Sequence, residues 1–292
     1  MSTGIGEPPV DGHGTKPGLP SRVTLRDLRR WANAGEVFPC LTAYDATTAR
    51  WLERAGVPVL LVGDSAAQVI LGQPSTVHAP LDFLVTITGA VRRGAPNAFV
   101  IGDMPFLSYH LDEDEAVRNA GRFLVEASAD AVKLEADASF ASVFSRLAKA
   151  GIPSIAHVGC LPQQVQLHGG YTVAGRTAES ARRVVDDART LVDAGAVMVL
   201  VEASTPETSE MVVEAVDVPV IGCGAGPACH GQIVVTHDIL GLTEWQPSFA
   251  DREGRLGDSL QSIVEQWCER ARRRELPHGY RMRDGELDRL DS

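Results

Sequence analysis

The stretch VPVLLVGDSAAQ, Val57–Gln68, decides the fold. Its apolar run, Val59 to Val62, stops at Gly63 and gives way to Asp64 and Ser65. A strand that is apolar at every position is covered on both faces, the habit of a parallel sheet wrapped by helices, and its β-branched content favours strand over helix. The polar exit of such a strand is where chemistry is expected.

Working outward, eight short runs alternate with helix-like stretches: Phe38–Thr42, Val59–Val62, Phe99–Ile101, Ala131–Leu134, Ser154–Ala156, Met198–Val201, Val218–Ile221 and Ile233–Val235. Alternation of strand and helix predicts a parallel sheet or barrel, and eight strands close a (βα)8 TIM barrel of about 250 residues. The expected organisation is a mobile tail over residues 1–20, rich in Gly and Pro, then the barrel over 21–257, then a helix and polar tail over 258–292. From Asp258 on, Leu260, Ile263, Val264, Trp267 and Ala271 fall on one helical face, which predicts a packing or oligomer-contact helix.

Composition narrows the function. A net charge of −11 over 292 residues offers no basic stripe for a phosphate backbone, so nucleic acid is not an expected partner. No apolar stretch nears the ~20 residues of a membrane span, and no signal pattern opens the chain, so a cytoplasmic protein is expected. Five scattered cysteines without a C-x-x-C pair suit reduced thiols in that compartment.

Each run gives way to polar or glycine-rich residues: Tyr44-Asp45, Asp64-Ser65, Asp103, Glu135, His157, Glu202, Gly222 to Gly226, and His237-Asp238. In a barrel these positions share the C-terminal rim, where active sites are built. A lone Asp-Ser after a strand is more often a helix N-cap than a ligand. Acidic groups at four strand ends around one mouth change that balance, because like charges gather stably only around a cation. Asp64, Asp103 and Glu135 are hard oxygen donors and favour Mg²⁺ over zinc. Mg²⁺ leaves positions for a chelating 2-oxo acid, and the ion stabilises an enolate as a Lewis acid. Glu202, after the apolar VMVLV, is partly desolvated and can serve as the general base; its bland alternative is a rim salt bridge. Lys133 shares a strand face with Glu135 and can neutralise a substrate carboxylate. His157 can hydrogen-bond the substrate or a metal-bound water, or be a satisfied core histidine. Tyr44 and Asp103, at the same rim, are further candidate substrate contacts. The glycine-rich IGCGAGPACHG lacks dinucleotide and P-loop spacings and reads as a tight barrel turn.

The segments LTAYDATTAR, LLVGDS, AVRRGAPNAFVIGDMPFLSY, AVKLEAD, IAHVGCLPQ, GGYTVAGR, VLVEASTPE, VPVIGCGAG and HGQIVVTHDILG run in order from Leu41 to Gly241. Together they resemble the ketopantoate (3-methyl-2-oxobutanoate) hydroxymethyltransferase family. The resemblance implies a barrel of the phosphoenolpyruvate mutase/isocitrate lyase-like group. It also implies transfer of a hydroxymethyl group from 5,10-methylenetetrahydrofolate to 3-methyl-2-oxobutanoate, on the route to pantothenate and coenzyme A, with Mg²⁺. By position Asp64 and Asp103 match the family's metal-binding aspartates and Glu135 its nearby acidic residue, Ser65 and Lys133 match groups that hold the oxo acid, His157 a substrate-contacting histidine, and Glu202 the proposed base. A homo-oligomer is implied as well.

The chain departs from the family pattern in several places. Ala136 and Asp137 stand where two glycines are usual, Cys160 and Leu161 replace leucine-threonine, and His230 replaces an aspartate. Thr86 and Ile87 replace tyrosine-histidine, His78 a proline, and Ser248 and Asp251 two lysines. Surrounding the metal and base positions, these changes leave two other readings: a relative acting on another 2-oxo acid by hydroxymethylation, aldol or carbon-carbon lyase chemistry, and a non-catalytic binding or assembly paralogue.

Overall fold

The computed structural model describes Leu19 and residues 21–275, 279–287 and 289–290. The tail expected over residues 1–20 therefore lies, Leu19 apart, outside the described residues. Eight parallel strands close into a barrel in chain order: β1 (Phe38–Thr42), β2 (Val59–Val62), β3 (Phe99–Asp103), β4 (Ala131–Glu135), β5 (Ser154–Gly159), β6 (Met198–Glu202), β7 (Val220–Cys223) and β8 (Gly231–Val234). β8 pairs back onto β1, with Phe38 opposite Gly231. The expected eight-stranded α/β barrel is the observed fold.

Five strands, β3 to β7, run further at their C-terminal ends than their apolar runs. Asp103, Glu135, His157 and Glu202 are paired strand residues, opposite Lys133, His157, Leu200 and Cys223 respectively, rather than the first residues of loops. Backbone pairing does not end where apolarity does, and the strand register consequently fixes which way these side chains point.

Side chains alternate between the lumen and the helix layer. Ile101, Ala131, Ile155 and Leu200 join one apolar cluster inside the barrel, while Val132, Leu134, Ala156, Val158, Val199 and Val201 pack outward with the helices. Two residues beyond each lumen residue the same face continues, which puts Asp103, Lys133, His157 and Glu202 inward, with Glu135 two further along β4. Outward Gly102 leaves room for a helix: a Cβ there would lie 2.3 Å from the Phe123 ring.

The helix Leu25–Ala34, opened by a Thr24–Asp27 capping box, closes the opposite end, where fully buried Leu28 meets Phe38 and the lower apolar layer. β7 and β8 are joined without a helix. Residues 224–230 turn through left-handed Gly224 and Gly226, and Cys229 packs so close that a Cβ on Gly222 would lie 2.9 Å from its Sγ. This is the tight turn expected for the glycine-rich segment.

The chain divides into two compact units between Thr236 and His237, and all eight strands belong to the first. The boundary expected at residue 257 thus falls within the second unit. There the helix Leu256–Arg272 leaves Leu260, Ile263, Val264 and Trp267 exposed. All five cysteines are free, and among the described residues no helix is long and apolar enough to cross a membrane.

Candidate active site

The inward residues at the C-terminal ends of β3 to β6 form one connected polar layer over the apolar lumen. Lys133 Nζ lies 2.8 Å from Asp103 Oδ1 and 3.1 Å from His157 Nδ1. Asp103 Oδ2 accepts from the Asp64 backbone N–H at 2.9 Å, tying the β2 exit to β3. His157 Nδ1 stands 3.9 Å from Glu135 Oε1, and its Nε2 stands 3.5 Å from Glu202 Oε2. Asp64, Asp103, Lys133, Glu135 and His157 are all buried, whereas Glu202 keeps 22% of its side chain open to the mouth.

Burial away from bulk solvent makes this layer electrostatically tense. Burial, then the negative charge of Asp103, pushes Asp64 up to about 8, against the pull of Lys133. Burial and Asp64 hold Glu135 well above the usual carboxylate range. Burial would lower Lys133, yet Asp103, Asp64 and Glu135 overcome it and hold the ammonium charged. His157, buried and beside that ammonium, stays neutral, its pKa well below the ordinary value. Burial raises Glu202 to about 7, with Lys133 opposing and Asp103 assisting.

Ser65 and Asp45 separate the two meanings of a polar residue at a strand exit. Asp45 is an N-cap, accepting from the N–H groups of Thr47 and Thr48 at 2.7 and 2.9 Å. Ser65 precedes the short helix Ala66–Val69 without a side-chain capping bond; its Oγ lies 2.8 Å from the hydroxyl of buried Tyr44. Tyr44 and Ser65 are thus joined at the rim of β1 and β2.

Two residues that sequence reasoning missed connect the carboxylates. Gln163, buried in the turn Pro162–Gln164 after β5, donates from Nε2 to Asp64 Oδ2 at 2.9 Å and to the Met104 carbonyl at 3.1 Å. Its backbone N–H donates to Glu135 Oε2 at 2.9 Å. The buried Tyr109 hydroxyl lies 2.9 Å from both Gln163 Oε1 and the Glu135 carbonyl, and shares its proton between them. Neither has a periodicity signal; position six residues after His157 was the only pointer to Gln163.

Several departures from the family pattern lie off this layer. Thr86 is exposed on the helix Leu81–Gly94, with its hydroxyl on the Asp82 carbonyl, and Ile87 packs in the helix layer. His230 sits at the opposite end of the barrel, where its Nδ1 accepts from the Val220 N–H at 3.0 Å and its carbonyl accepts from Phe38. Asp137 turns its carboxylate onto the Ser139 N–H at 2.9 Å as a cap rather than adding charge to the polar layer. Ala136 is core. Cys160 does touch the site, its N–H donating to the Glu202 carbonyl at 2.9 Å. Ser248 and Asp251 belong to the second unit.

The three carboxylates expected to share a cation do not form a three-donor cluster: among the described residues no three His, Cys, Asp or Glu side chains gather as ligands. Mg²⁺ takes one or two carboxylates and completes its shell with water and substrate oxygens. Asp64 and Asp103, both buried, tied by the Asp64 backbone N–H to Asp103 Oδ2, and with the Asp103 charge raising Asp64, fit that pair. Glu135, engaged by Gln163, stands behind them.

Comparison with known proteins points to one family. A model of the family described as ketopantoate hydroxymethyltransferase matches residues 22–279. The 3-methyl-2-oxobutanoate hydroxymethyltransferase of Pyrobaculum aerophilum is 45% identical over 237 residues, covering 81% of this chain and 90% of that protein. The protein of the same name from Pseudothermotoga lettingae is 46% identical over 225 residues, 76% of this chain and 85% of its own. Among solved structures, 2,3-dimethylmalate lyase, a member of the phosphoenolpyruvate mutase/isocitrate lyase superfamily, superposes with a TM-score of 0.56 at 18% identity over 92% of this chain and 95% of its own. Phosphonopyruvate hydrolase does so at 0.58 and 14%, with the same coverage, and these two likenesses speak to the fold. With a match that spans the barrel and relatives more than 40% identical, the chain belongs to the ketopantoate hydroxymethyltransferase family, a family of enzymes.

Proposed function

We propose that this chain transfers a hydroxymethyl group from 5,10-methylenetetrahydrofolate to 3-methyl-2-oxobutanoate, giving 2-dehydropantoate for pantothenate biosynthesis, with Mg²⁺ as cofactor. The observation that carries the reading is Glu202: a carboxyl at the barrel mouth, raised to about 7, beside an imidazole and above a buried Lys-Asp pair. The acceptor is taken from the names of the relatives.

Asp64 and Asp103 would hold the Mg²⁺, which would polarise the 2-oxo group and neutralise the charge developing there. Lys133 spends two of its three N–H donors on Asp103 and His157, leaving the third for the carboxylate of the oxo acid. Ser65, with Tyr44 behind it, offers a hydroxyl on the other side of the mouth. Glu202, as carboxylate, takes the proton from C3. The C3–H bond is replaced by C3–CH2OH: the proton leaves to Glu202, the oxygen enters from water, and the two C–N bonds of the one-carbon unit break.

One observation favours a second reading, a different 2-oxo acid as acceptor: the thiol of Cys160, a departure, feels the Glu202 charge, being pushed up to about 11 by burial and then by that carboxylate. Purified protein incubated with Mg²⁺, 5,10-methylenetetrahydrofolate and a panel of 2-oxo acids separates the two. 2-Dehydropantoate by mass spectrometry supports the first, a product from another acid alone supports the second, and no product from any acid contradicts both. The exposed apolar face of Leu256–Arg272 supports a homo-oligomer, which sedimentation tests, and five free cysteines support a cytoplasmic setting.

A further inference from the structure

We infer that Gln163, locked by Tyr109, is a positioning residue that sets the carboxylates of Asp64 and Glu135 for the cation. The inference rests on the metal reading proposed above and assigns a role to two residues outside the rim set. A single buried side chain and its own backbone N–H reach both acids: Nε2 to Asp64 Oδ2 and N–H to Glu135 Oε2, each 2.9 Å. One oxygen of each acid is thereby engaged. Asp64 Oδ1 and Glu135 Oε1 remain for a cation, its water or the substrate.

The orientation of the amide is fixed by chemistry. The Met104 carbonyl can only accept, so the NH2 group must face it and Asp64 Oδ2 beside it, and the carbonyl end is left to accept from Tyr109. Tyr109 has no other hydrogen-bond partner than Gln163 and the Glu135 carbonyl among the described residues. Its ring is clamped between His110, with centroids 4.1 Å apart, and Phe140 at 5.8 Å. A rotated amide would set its oxygen against Asp64 and leave the Tyr109 hydroxyl facing an NH2 group, so packing of the tyrosine ring holds the metal-side hydrogen bond. Outer partners of this kind shape metal affinity as strongly as many direct contacts.

Gln163 also sits at the start of the β5 exit loop, four residues after left-handed Gly159, and that loop continues to Tyr171. The charge of Glu202 is felt by both Cys160 and Tyr171, so the loop that carries Gln163 borders the base as well as the acids. Positioning of the cation pair and placement of the loop over the mouth are consequently coupled through one residue.

The test is Mg²⁺ titration calorimetry on the full chain for wild type, Gln163→Met, Tyr109→Phe and the double variant, with thermal melts alongside. Gln163→Met keeps the volume and the backbone N–H and removes the amide; the expected result is a Kd for Mg²⁺ weakened about 10- to 100-fold. Tyr109→Phe should weaken it by less, and the double variant by no more than Gln163→Met alone, because the tyrosine acts through the glutamine. An unchanged Kd in the folded Gln163→Met and Tyr109→Phe proteins, with only a lower melting temperature, overturns the inference by making both residues merely structural. If Gln163→Met does not fold, the Tyr109→Phe result decides alone. Wild type that fails to bind Mg²⁺ overturns the metal reading itself, a distinct outcome.

Discussion

His157 Nε2 stands 3.5 Å from Glu202 Oε2, while the other ring nitrogen lies 3.1 Å from Lys133 Nζ. An ammonium donates and cannot accept, so Nδ1 is the acceptor and the proton of the neutral ring is on Nε2, facing Glu202. The histidine therefore presents an N–H to the carboxylate form of the proposed base. Lys133, His157 and Glu202 form one chain of fixed polarity across three adjacent strands.

That polarity sets the pH dependence. Glu202 must be ionised to take a proton, and its pKa is raised to about 7, chiefly by burial. The rate of proton abstraction should rise with pH through about 7 and level off above it. In His157→Ala the charged form loses its donor, so the midpoint should move upward and the rate at neutral pH should fall by about 10-fold. A pH-rate series on both proteins checks this; a midpoint that moves down in the variant contradicts the assigned ring proton.

Stability should show the opposite slope. Asp64 and Glu202, at about 8 and about 7 in the folded chain, hold protons that unfolded carboxyls release near ~4. Between those limits the folded state binds more protons, so stability is full below ~4 and is lost as pH rises through 7 to 8. Mg²⁺ should restore more stability at pH 8 than at pH 5, because at the lower pH Asp64 is protonated. Melting curves with Mg²⁺ or with a chelator measure this, and equal gains at both pH values would argue against carboxylate ligation.

Gly159 gives a structural lever on the base. At φ 96°, a Cβ would lie 2.6 Å from the Glu202 carbonyl. Gly159→Ala should cost about 1–3 kcal/mol of stability by overpacking and backbone strain. Proton abstraction should fall further than Mg²⁺ affinity, since the clash falls on β6 and not on Asp64. Calorimetry and an exchange assay on the same preparation separate the two effects.

His230 tests where the departures from the family pattern act. His230→Ala strands the Val220 N–H and should cost about 1–3 kcal/mol, while the KM for the oxo acid stays within about twofold of wild type. A large change in KM with little loss of stability would place that position in the substrate's path.

How far these features are legible in the sequence depends on their physical origin. Unbroken apolar runs such as Val59–Val62 mark the strands because burial on both faces leaves no polar position in them. The inward direction of Asp103, Lys133, Glu135 and Glu202 accords with strand ends and a period of two. Gln163 and Tyr109 are opaque, since their roles come from loop conformations that bring distant segments together. Apolarity sets the strand ends too short because pairing continues through acidic residues. Asp137 misleads for a related reason: a charge beside Glu135 in sequence can face away once a turn intervenes.

The most direct measurement is deuterium incorporation at C3 of 3-methyl-2-oxobutanoate in D2O, followed by NMR without any one-carbon donor. Wild type with Mg²⁺ should exchange that proton, and Glu202→Gln should do so about 10²- to 10⁴-fold more slowly with Mg²⁺ binding retained. Exchange that persists at the wild-type rate in Glu202→Gln, or that is absent from wild type with Mg²⁺ bound, would contradict a carboxylate base at the end of β6.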